Sequence, residues 1–239
     1  MPVKRLSCIP AALVLCMCSL PAAASTVLFS DLGTGSTVYL DATEGWAQFG
    51  SEYGSGNSLS NAQLFTAAGA GSIAVTQIDL GVSESVVLNT FYASIWTDSA
   101  GTPGSEVAGA YWSLSATNPI GTCCGLVSIT GISGLDLTGG QSYFMVLGPV
   151  SLTDDSATFW NFNSQSAYGL AFYSQNGGSW VSRGSDTELS AFDVLGAASA
   201  PEPGSFAMLG LALLSLAAFR KSSGNLQKTC RAKRLSIGE

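Results

Sequence analysis

Between Ser25 and Gly196 the chain alternates between short apolar runs and clusters of turn-forming residues. The runs are rich in β-branched and aromatic residues, and Gly, Pro, Asn, Asp and Ser separate them at fairly regular intervals. Runs of this length and composition are typical of β-strands. The candidate strands are residues 73–80, 86–96, 108–114, 126–129, 142–147, 157–161, 167–173 and 188–194. Their lengths and spacing predict an all-β domain, a β-sandwich or jelly roll, over residues 25–196.

Two of the turns have compositions that predict tight hairpins. Residues 98–104 read Asp-Ser-Ala-Gly-Thr-Pro-Gly and separate two of the candidate strands. Residues 175–178 read Gln-Asn-Gly-Gly and separate Phe172-Tyr173 from Trp180-Val181. Glycine and asparagine readily adopt the backbone angles that such reversals need. We therefore expect an antiparallel strand pair at each place.

The first 24 residues have the layout of a secretory signal peptide. Lys4 and Arg5 precede an apolar stretch at residues 9–20, and small residues follow from Ala22 to Ala24. This order predicts recognition by signal peptidase and cleavage after Ala24, with Ala22 and Ala24 as the small residues of the cleavage site. The alternative is a short N-terminal membrane anchor, but about 12 apolar residues are too few to span the bilayer comfortably.

A second signal lies near the C-terminus, where a proline-containing segment precedes an apolar run. Pro201-Glu202-Pro203 leads into the uncharged residues 204–219, and Arg220-Lys221 follows at once. The prolines break any helix and favour an extended segment. The uncharged run is near the lower length limit of a transmembrane helix, and the basic pair acts as a stop-transfer charge facing the cytoplasm. We therefore predict one transmembrane helix at about residues 204–219, with the β-domain outside the cytoplasm.

Residues 200–221 resemble the PEP-CTERM sorting segment of Gram-negative bacteria that produce exopolysaccharide. The resemblance rests on three ordered elements, namely the Pro-Glu-Pro motif, the apolar run and the basic pair. It implies an exported chain that is held in the inner membrane and recognised at Pro201-Glu202-Pro203 by a membrane protease of the exosortase type. Cleavage nearby would release the domain or transfer it to the cell surface or extracellular matrix. The alternative is a plain single-pass anchor with a coincidental Pro-Glu-Pro.

The chain departs from this family pattern after the basic pair. Family members normally end within a few residues of it, whereas residues 222–239 continue with Lys228, Arg231, Lys233 and Arg234. This tail is polar and lacks apolar periodicity, which predicts disorder in the cytoplasm, and it leaves final cleavage open. The predicted division is a signal peptide at 1–24, an ectodomain at 25–196, a sorting and anchor segment at 197–221 and a basic tail at 222–239.

The predicted ectodomain is strongly acidic. Between Ser25 and Pro203, nine Asp and six Glu face the single cation Arg183, a net charge of −14, whereas six of the nine basic residues lie from Arg220 onward. Such a surface repels phosphate backbones, so we expect no nucleic-acid partner. The chain has no histidine, which removes the commonest general base and transition-metal ligand. We therefore expect no enzyme activity, although hydrolysis by paired carboxylates stays open.

The predicted ectodomain is also similar to the choice-of-anchor domains, especially type R, that precede such sorting tails. The motifs that carry this similarity are Phe29-Ser30-Asp31-Leu32-Gly33, Gly45-Trp46, residues 67–80, residues 92–103, Gly140-Gln141-Ser142-Tyr143, residues 173–180 and Ala191-Phe192. They are diffuse but cover most of residues 25–196. The similarity implies an extracellular β-sandwich and supplies no catalytic residues.

Cys123-Cys124 is the cysteine feature of the predicted exported part. An oxidising periplasm permits either a vicinal disulfide or two buried thiols. A bridge would form a hard turn within residues 119–125, where Gly and Pro already predict a loop. We favour a structural role over a redox one, because no C-x-x-C spacing or nearby cation lowers a thiol pKa.

Two other residue types could hold ligands. The acidic residues Asp31, Asp41, Asp79, Asp98, Asp136 and Asp154-Asp155 could bind structural calcium, but no EF-hand or repeat-type spacing is present, and turn caps and solvated loop groups are the favoured interpretation. We expect no other cofactor. Nine aromatic residues, Trp46, Trp96, Trp112, Trp160, Trp180, Tyr92, Tyr143, Tyr168 and Tyr173, could stack on sugars, although strand alternation favours core packing.

Three functional hypotheses follow. The leading one is a structural or interaction protein of the envelope and extracellular matrix that contacts exopolysaccharide. The second is a secreted glycan-active hydrolase with two carboxylates about 5–10 Å apart in a cleft. The third is a self-assembling surface-layer subunit. In each case the partners expected during export are signal peptidase, the membrane and an exosortase-type protease.

Overall fold

The computed structural model describes residues 25–40, 44–85 and 88–197. They form fifteen β-strands and one short 3-10 helix, Gly35–Thr37. The strands are β1 Ser25–Ser30, β2 Gly45–Phe49, β3 Leu59–Thr66, β4 Ser72–Leu80, β5 Val82–Glu84, β6 Thr90–Asp98, β7 Pro103–Ser115, β8 Asn118–Pro119, β9 Val127–Thr130, β10 Asp136–Thr138, β11 Ser142–Gly148, β12 Ala157–Asn161, β13 Tyr168–Gln175, β14 Val181–Glu188 and β15 Phe192–Ala197. Within these ranges no helix has the length and apolar character needed to cross a membrane. The predicted signal peptide, transmembrane helix and basic tail lie outside the described residues.

The strands form two sheets, which confirms the all-β sandwich predicted from the strand pattern. The smaller sheet has the order β1-β15-β4-β10, and β9 also pairs with β4. The larger sheet has the order β7-β6-β11-β3-β2-β12-β5-β8, and the β13–β14 hairpin joins it at β3. The short β5–β8 contact is parallel, whereas the pairs that build the two sheets are antiparallel.

The main core lies between the two sheets, because strand alternation points every second side chain inward. Fully buried members include Leu28, Ile78, Leu80, Phe192 and Val194 from the smaller sheet, and Phe91, Ile95, Met145, Leu147 and Trp160 from the larger one. The ring of Phe192 is central, with centroids 4.6 Å from Phe29, 5.5 Å from Phe65 and 5.8 Å from Trp160. Strand β15 therefore contacts β1 within its own sheet and packs across the core against the larger sheet.

Strand β11 is buried on both of its faces. Met145 and Leu147 belong to the main core, whereas the opposite face contributes to a second cluster made of Ala62, Phe144, Val146 and Phe172. Trp96 and Trp180 flank this cluster, with ring centroids 5.7 Å apart. In a flat sheet β6 and β14 would be four strand spacings of about 4.8 Å apart. Because Trp96 of β6 nevertheless contacts Trp180, next to β14, the larger sheet curls toward this face.

Most of the predicted strands are confirmed to within a few residues. Strand β12 occupies the predicted residues 157–161, and β4, β9, β11 and β13 lie close to their predicted bounds. The prediction 86–96 begins too early, because β6 begins at Thr90. The prediction 188–194 is wrong, because β14 ends at Glu188 and β15 begins at Phe192. The apolar run continues across this break because the connecting residues 189–191 are themselves buried.

The central strand β3 was not predicted, because polar residues interrupt its apolar pattern. Asn61 and Gln63 lie on the same face as Phe65, and all three are buried. The amide of Gln63 donates to the carbonyl of Ser190 at 2.6 Å and accepts from its N–H at 2.7 Å. The Asn61 amide donates to the carbonyl of Ala47 at 2.7 Å. These hydrogen bonds offset the cost of placing amides in a protein interior.

Both predicted hairpins are confirmed. Strands β6 and β7 pair around a turn in which the carboxylate of Asp98 accepts the N–H of Gly101 at 2.7 Å. Strands β13 and β14 pair around a turn in which Asn176 and Gly177 have φ angles of 52° and 66°. These are residue types that tolerate left-handed backbone, so the turn chemistry was readable from the sequence.

Candidate functional site

Most site residues predicted from the sequence lie outside the described residues. These are Ala22 and Ala24 of the signal cleavage site, the Pro201-Glu202-Pro203 motif and the Arg220-Lys221 stop-transfer pair. Cys123 and Cys124 lie within the described part. The structure therefore shows where the last described strand ends, at Ala197, and what the remaining candidate residues do.

Cys123 and Cys124 lie in the predicted loop, between β8 and β9. Cys123 is exposed and Cys124 is half-buried, and their sulfur atoms are in bonding contact across a cis peptide bond. The two sulfur atoms lie 3.4 and 3.9 Å from the carbonyl oxygen of Tyr39. This arrangement is compatible with the vicinal disulfide, which stays a prediction.

Tyr39 holds the cysteine loop against the domain. Its hydroxyl donates to the carbonyl of Gly125 at 3.0 Å and accepts from the amide of Asn118 at 2.6 Å. Asn118 also donates to the carbonyl of Thr122 at 2.7 Å. Burial raises the pKa of Tyr39 above its ordinary value of 10.0, so the hydroxyl keeps its proton. We interpret the loop as a structural feature anchored by this hydroxyl.

The carboxylates considered as calcium ligands are dispersed, and two of them cap turns. Asp154 accepts the backbone N–H groups of Ser151 and Ser156 at 3.3 and 3.2 Å, and Asp98 caps the β6–β7 turn. Asp136 and Asp155 are exposed, and Asp41 lies outside the described residues. In the part of the chain that the structure describes, no three or more His, Cys, Asp or Glu side chains are grouped so that they could hold a metal ion.

Two acidic residues face each other in the smaller sheet, and a third, Asp31, lies just beyond the neighbouring strand β1. Asp79 and Asp193 are directly opposite each other in the β4–β15 pair, and the N–H of Asp79 donates to Oδ1 of Asp193 at 3.2 Å. Their neighbours in sequence point into the main core, so these two side chains lie on the outer face of the sheet. Asp31 follows β1, is 5% exposed and accepts the N–H of Phe192 at 2.7 Å.

Burial changes the protonation of this acidic row. It raises the pKa of Asp31 from 3.8 to about 8, against the opposing effect of the hydrogen bond from Phe192. Burial also raises the pKa of Asp193 to about 7, and the negative charge of Asp79 adds to the effect. Oδ2 of Asp79 accepts the amide N–H of Gln77 at 2.7 Å, whereas its Oδ1 is buried without a hydrogen-bond partner. Asp31 and Asp193 are therefore partly protonated at neutral pH.

The carboxyl groups of Asp79 and Asp193 are engaged within the smaller sheet. Oδ1 of Asp193 accepts the N–H of Asp79, and Oδ2 of Asp79 accepts the amide of Gln77. What the raised pKa of Asp193 does chemically is link the stability of the smaller sheet to pH. The structure thus gives the hydrolase hypothesis no support at these two residues.

Arg183 of β14 is engaged inside the domain. Its guanidinium carbon lies 3.8 Å from the ring centroid of Trp46 and 4.8 Å from that of Tyr173. Its Nη2 donates to Oδ1 of Asn61 at 3.0 Å, whereas its Nε is buried without a hydrogen-bond partner. Burial lowers the pKa of Arg183 below its ordinary value. These contacts join β2, β3, β13 and β14 around one guanidinium, which indicates a structural role.

Most of the nine candidate aromatic residues take part in packing. Trp160 is fully buried, and its indole N–H donates to the carbonyl of Ala191 at 3.1 Å. Trp112 and Tyr143 pack on the main core, Tyr92, Trp96 and Trp180 pack on the second cluster, and Trp46 and Tyr173 contact Arg183. Tyr168 is 56% exposed. The favoured interpretation, core packing, is therefore supported for six of the nine, and Trp46 and Tyr173 stack on Arg183 instead.

Strand β15 leads toward the sorting segment. Its last residue, Ala197, pairs with Ser25 of β1 and with Ala74 of β4. Ser25 is the first residue after the predicted signal cleavage site, and three residues, 198–200, separate Ala197 from Pro201. Both predicted processing sites therefore adjoin the same end of the smaller sheet.

Sequence reasoning missed this pairing of the two ends of the domain. Strand β1 was not predicted, although the run Thr26-Val27-Leu28-Phe29 has the β-branched and apolar composition that could have identified it. Strand β15 was merged with the end of β14. The pairing itself has no local signal, because it joins residues at opposite ends of the domain.

Comparison with known protein families identifies the C-terminal segment. The PEP-CTERM protein-sorting motif matches residues 199–221, which confirms the resemblance seen at the Pro-Glu-Pro motif, the apolar run and the basic pair. No curated protein matches the chain. The similarity of the ectodomain to the choice-of-anchor domains therefore stays a prediction.

Proposed function

From the PEP-CTERM sorting motif, which marks exported, membrane-anchored surface proteins of Gram-negative bacteria that exosortase processes, we propose a role for the β-domain. Residues 25–197 form a structural or interaction domain of the cell envelope and extracellular matrix, in contact with exopolysaccharide. The role requires neither catalysis nor a cofactor. The observation that carries the proposal is the sorting motif itself, at residues 199–221, which follows the last described strand of the domain, ending at Ala197.

The proposed export route uses both ends of the chain. Signal peptidase cleaves after Ala24, and residues 204–219 then hold the chain in the inner membrane with Arg220-Lys221 on the cytoplasmic side. The exosortase recognises Pro201-Glu202-Pro203 and frees the β-domain from its anchor. The paired ends of β1 and β15 support this route, because both cleavage sites then lie next to one end of the fold.

The surface chemistry of the domain supports a role in a hydrated matrix. Residues 25–197 contain nine Asp and five Glu against the single Arg183, and this net charge of −13 keeps copies apart and soluble. Exposed strands such as β7 and β14 present Ser and Thr hydroxyls, which donate and accept hydrogen bonds to sugar hydroxyls. Arg183 is stacked on Trp46 and Tyr173, so the exposed charge is predominantly acidic. A neutral polysaccharide is therefore a better partner than an acidic one.

Mass spectrometry of the protein from its native envelope tests the export route. The expected mature N-terminus is Ser25, and the expected mature C-terminus lies close to Pro201-Glu202-Pro203, with residues 204–239 removed. The variants Pro201→Ala and Glu202→Ala should accumulate the uncleaved chain. A wild-type chain that keeps residues 204–239, together with variants that show the same C-terminus, would contradict the sorting role.

Binding of the processed protein to the producer's own polysaccharide tests the matrix role. We expect co-sedimentation with the neutral polysaccharide fraction and a changed biofilm or floc when the chain is deleted. An absence of both binding and a deletion phenotype would exclude the matrix role while leaving the sorting result intact. A large change in solution mass at higher concentration would instead favour the surface-layer alternative.

A further inference from the structure

Both predicted processing sites adjoin one end of the sandwich, which we call the exit face. It consists of two connections between the sheets, each taken with one terminal strand residue, at residues 67–72 and 138–141, together with Ser25 and Ala197. The first connection joins β3 to β4, and the second joins β10 to β11. The strand register places the first connection beside the chain exit, because Ala197 pairs with Ala74, two residues after Ser72.

The two connections are tied to each other through their backbones. Gly140 donates its N–H to the carbonyl of Ala67 at 2.7 Å, and Gly139 donates to Gly71 at 2.8 Å. A Cβ atom at Gly139 would collide with the backbone of Gly69, so glycine is required there. Neither connection contains Asp, Glu, Lys or Arg, in a strongly acidic domain. The exit face is therefore held in a fixed shape and is uncharged along both connections.

The length of chain between the fold and the sorting motif limits where a partner can bind. From Ala197 to Pro201 the chain spans at most about 14 Å, even when fully extended. A protein that grips Pro201-Glu202-Pro203 is much larger than this distance. It must therefore occupy the space next to Ala197, where residues 67–72 and 138–141 lie.

We propose that the exit face is a docking surface for the membrane-embedded protease that reads the sorting motif. This inference rests on the proposed function. Only four residue steps separate Ala197 from Pro201, so the protease must come close to the fold. The small side chains of residues 67–72 leave room for this close approach. The opposite end of the sandwich, where Val150 follows β11 and is 41% exposed, faces away from the membrane.

The test adds bulk to the exit face without touching the sorting motif. Ala68 and Ala70 are exposed, and the backbone hydrogen bond that Ala68 makes to Leu28 does not involve its side chain. We expect Ala68→Trp and Ala70→Trp to slow removal of the C-terminal segment by about tenfold in the native host. Val150→Trp, the matched control at the opposite end, should be processed at the wild-type rate. Resistance of each purified full chain to limited proteolysis confirms that the β-domain is folded.

A second set of variants separates docking from indirect effects. A flexible Gly-Ser spacer of about 12 residues, inserted before Ala200, lengthens the reach of the chain and should restore processing of Ala68→Trp and Ala70→Trp. Wild-type rates in both tryptophan variants, or slow processing that the spacer does not relieve, would overturn the docking inference. Wild-type cleavage that depends on Glu202 would still uphold the sorting role in either case.

Discussion

Asp31 is a carboxyl group that the fold removes from water without an opposite charge beside it. Its Oδ1 accepts the N–H of Phe192, but its Oδ2 is buried without a partner. Burial outweighs the hydrogen bond and raises the pKa of Asp31 to about 8. The folded domain therefore keeps a proton that the unfolded chain releases above an ordinary pKa of 3.8.

This proton makes stability depend on pH in a defined direction. Because the folded state binds more protons than the unfolded state between about pH 4 and about pH 8, the free energy of unfolding falls as pH rises through this window. Asp193, with its pKa raised to about 7, adds to the fall in the lower part of the window. Asp31→Asn keeps an acceptor for Phe192 but cannot ionise. We expect the free energy of unfolding of this variant to fall less with rising pH than that of the wild type. At about pH 8 the variant should have the higher Tm.

Thermal unfolding of the purified chain at about pH 5 and about pH 8 measures this effect. The exposed Asp155→Asn is the matched control, since it removes a carboxylate that the fold leaves in water. The control should keep the wild-type difference in Tm between the two pH values. An Asp31→Asn variant with that same difference would show that Asp31 is ionised in the folded domain.

Arg183 makes a second prediction at the scale of single residues. Its guanidinium stacks on Trp46 and Tyr173 and donates to Asn61, so Arg183→Met loses a cation–π contact and a hydrogen bond. We expect the free energy of unfolding to drop by about 1–2 kcal/mol. Arg183→Lys keeps the charge but loses the planar stacking, so its free energy of unfolding should lie between those of the wild type and Arg183→Met. Chemical denaturation measures the change, and a stability equal to that of the exposed control Ser185→Ala would contradict the structural role.

At the scale of elements, β3 is held by a side chain that hydrogen-bonds a distant backbone segment, as a neighbouring strand would. The amide of Gln63 hydrogen-bonds both the N–H and the carbonyl of Ser190, in the connection between β14 and β15. In Gln63→Leu both backbone groups stay buried without a partner, which should lower the free energy of unfolding by about 2–4 kcal/mol. Gln63→Glu keeps the acceptor for the N–H of Ser190 but places a buried carboxyl group against the Ser190 carbonyl, so at neutral pH it should cost at least as much. Gln175→Leu, at an exposed position of β13, is the control, and an equal effect of the two leucine substitutions would refute the proposed pairing.

The same strand shows what a sequence pattern can and cannot predict about this fold. Strand β12 was predicted with its observed bounds because an apolar run ends at turn residues on both sides. Strand β3 was missed because Asn61 and Gln63 look like surface residues until their backbone partners are known. The partner of Gln63 is 127 positions away and that of Asn61 lies on another strand, so no local pattern reports them. Tertiary hydrogen bonding, rather than propensity, decided this element.

Some features of the candidate site could likewise be predicted from the sequence, and others could not. The sorting motif was readable because its three elements are contiguous in sequence, as the match at residues 199–221 confirms. The Asp79–Asp193 pair was not readable, because the β4–β15 register brings together residues more than one hundred positions apart. Asp31 and Asp193 also owe their raised pKa values to burial, which depends on the packed sandwich. Sequence therefore located the sorting motif and left the electrostatics of the domain to the structure.

For the whole molecule, the order of strands ties folding to the completion of export. Strand β15 lies between β1 and β4, and Phe192 at its start packs against aromatic rings of both sheets. It is also the last strand before the sorting segment, so it follows every other part of the domain across the membrane. The smaller sheet cannot close, and the core between the sheets cannot be sealed, until β15 has emerged.

Two truncated chains test this dependence. A chain that ends after Ala191 lacks β15 and leaves the inner edges of β1 and β4 without their partner, whereas a chain that ends after Ala200 keeps β15 and loses the sorting motif. We expect the shorter chain to be digested by protease and to lack a near-ultraviolet circular dichroism signal, and the longer chain to resist digestion. Burial of Phe192 and Val194 is worth roughly 1.5–3 kcal/mol each, a large part of the stability of an ordinary domain. A protease-resistant chain ending at Ala191 would show instead that the domain folds before its last strand arrives, and that β15 is added to a preformed sandwich.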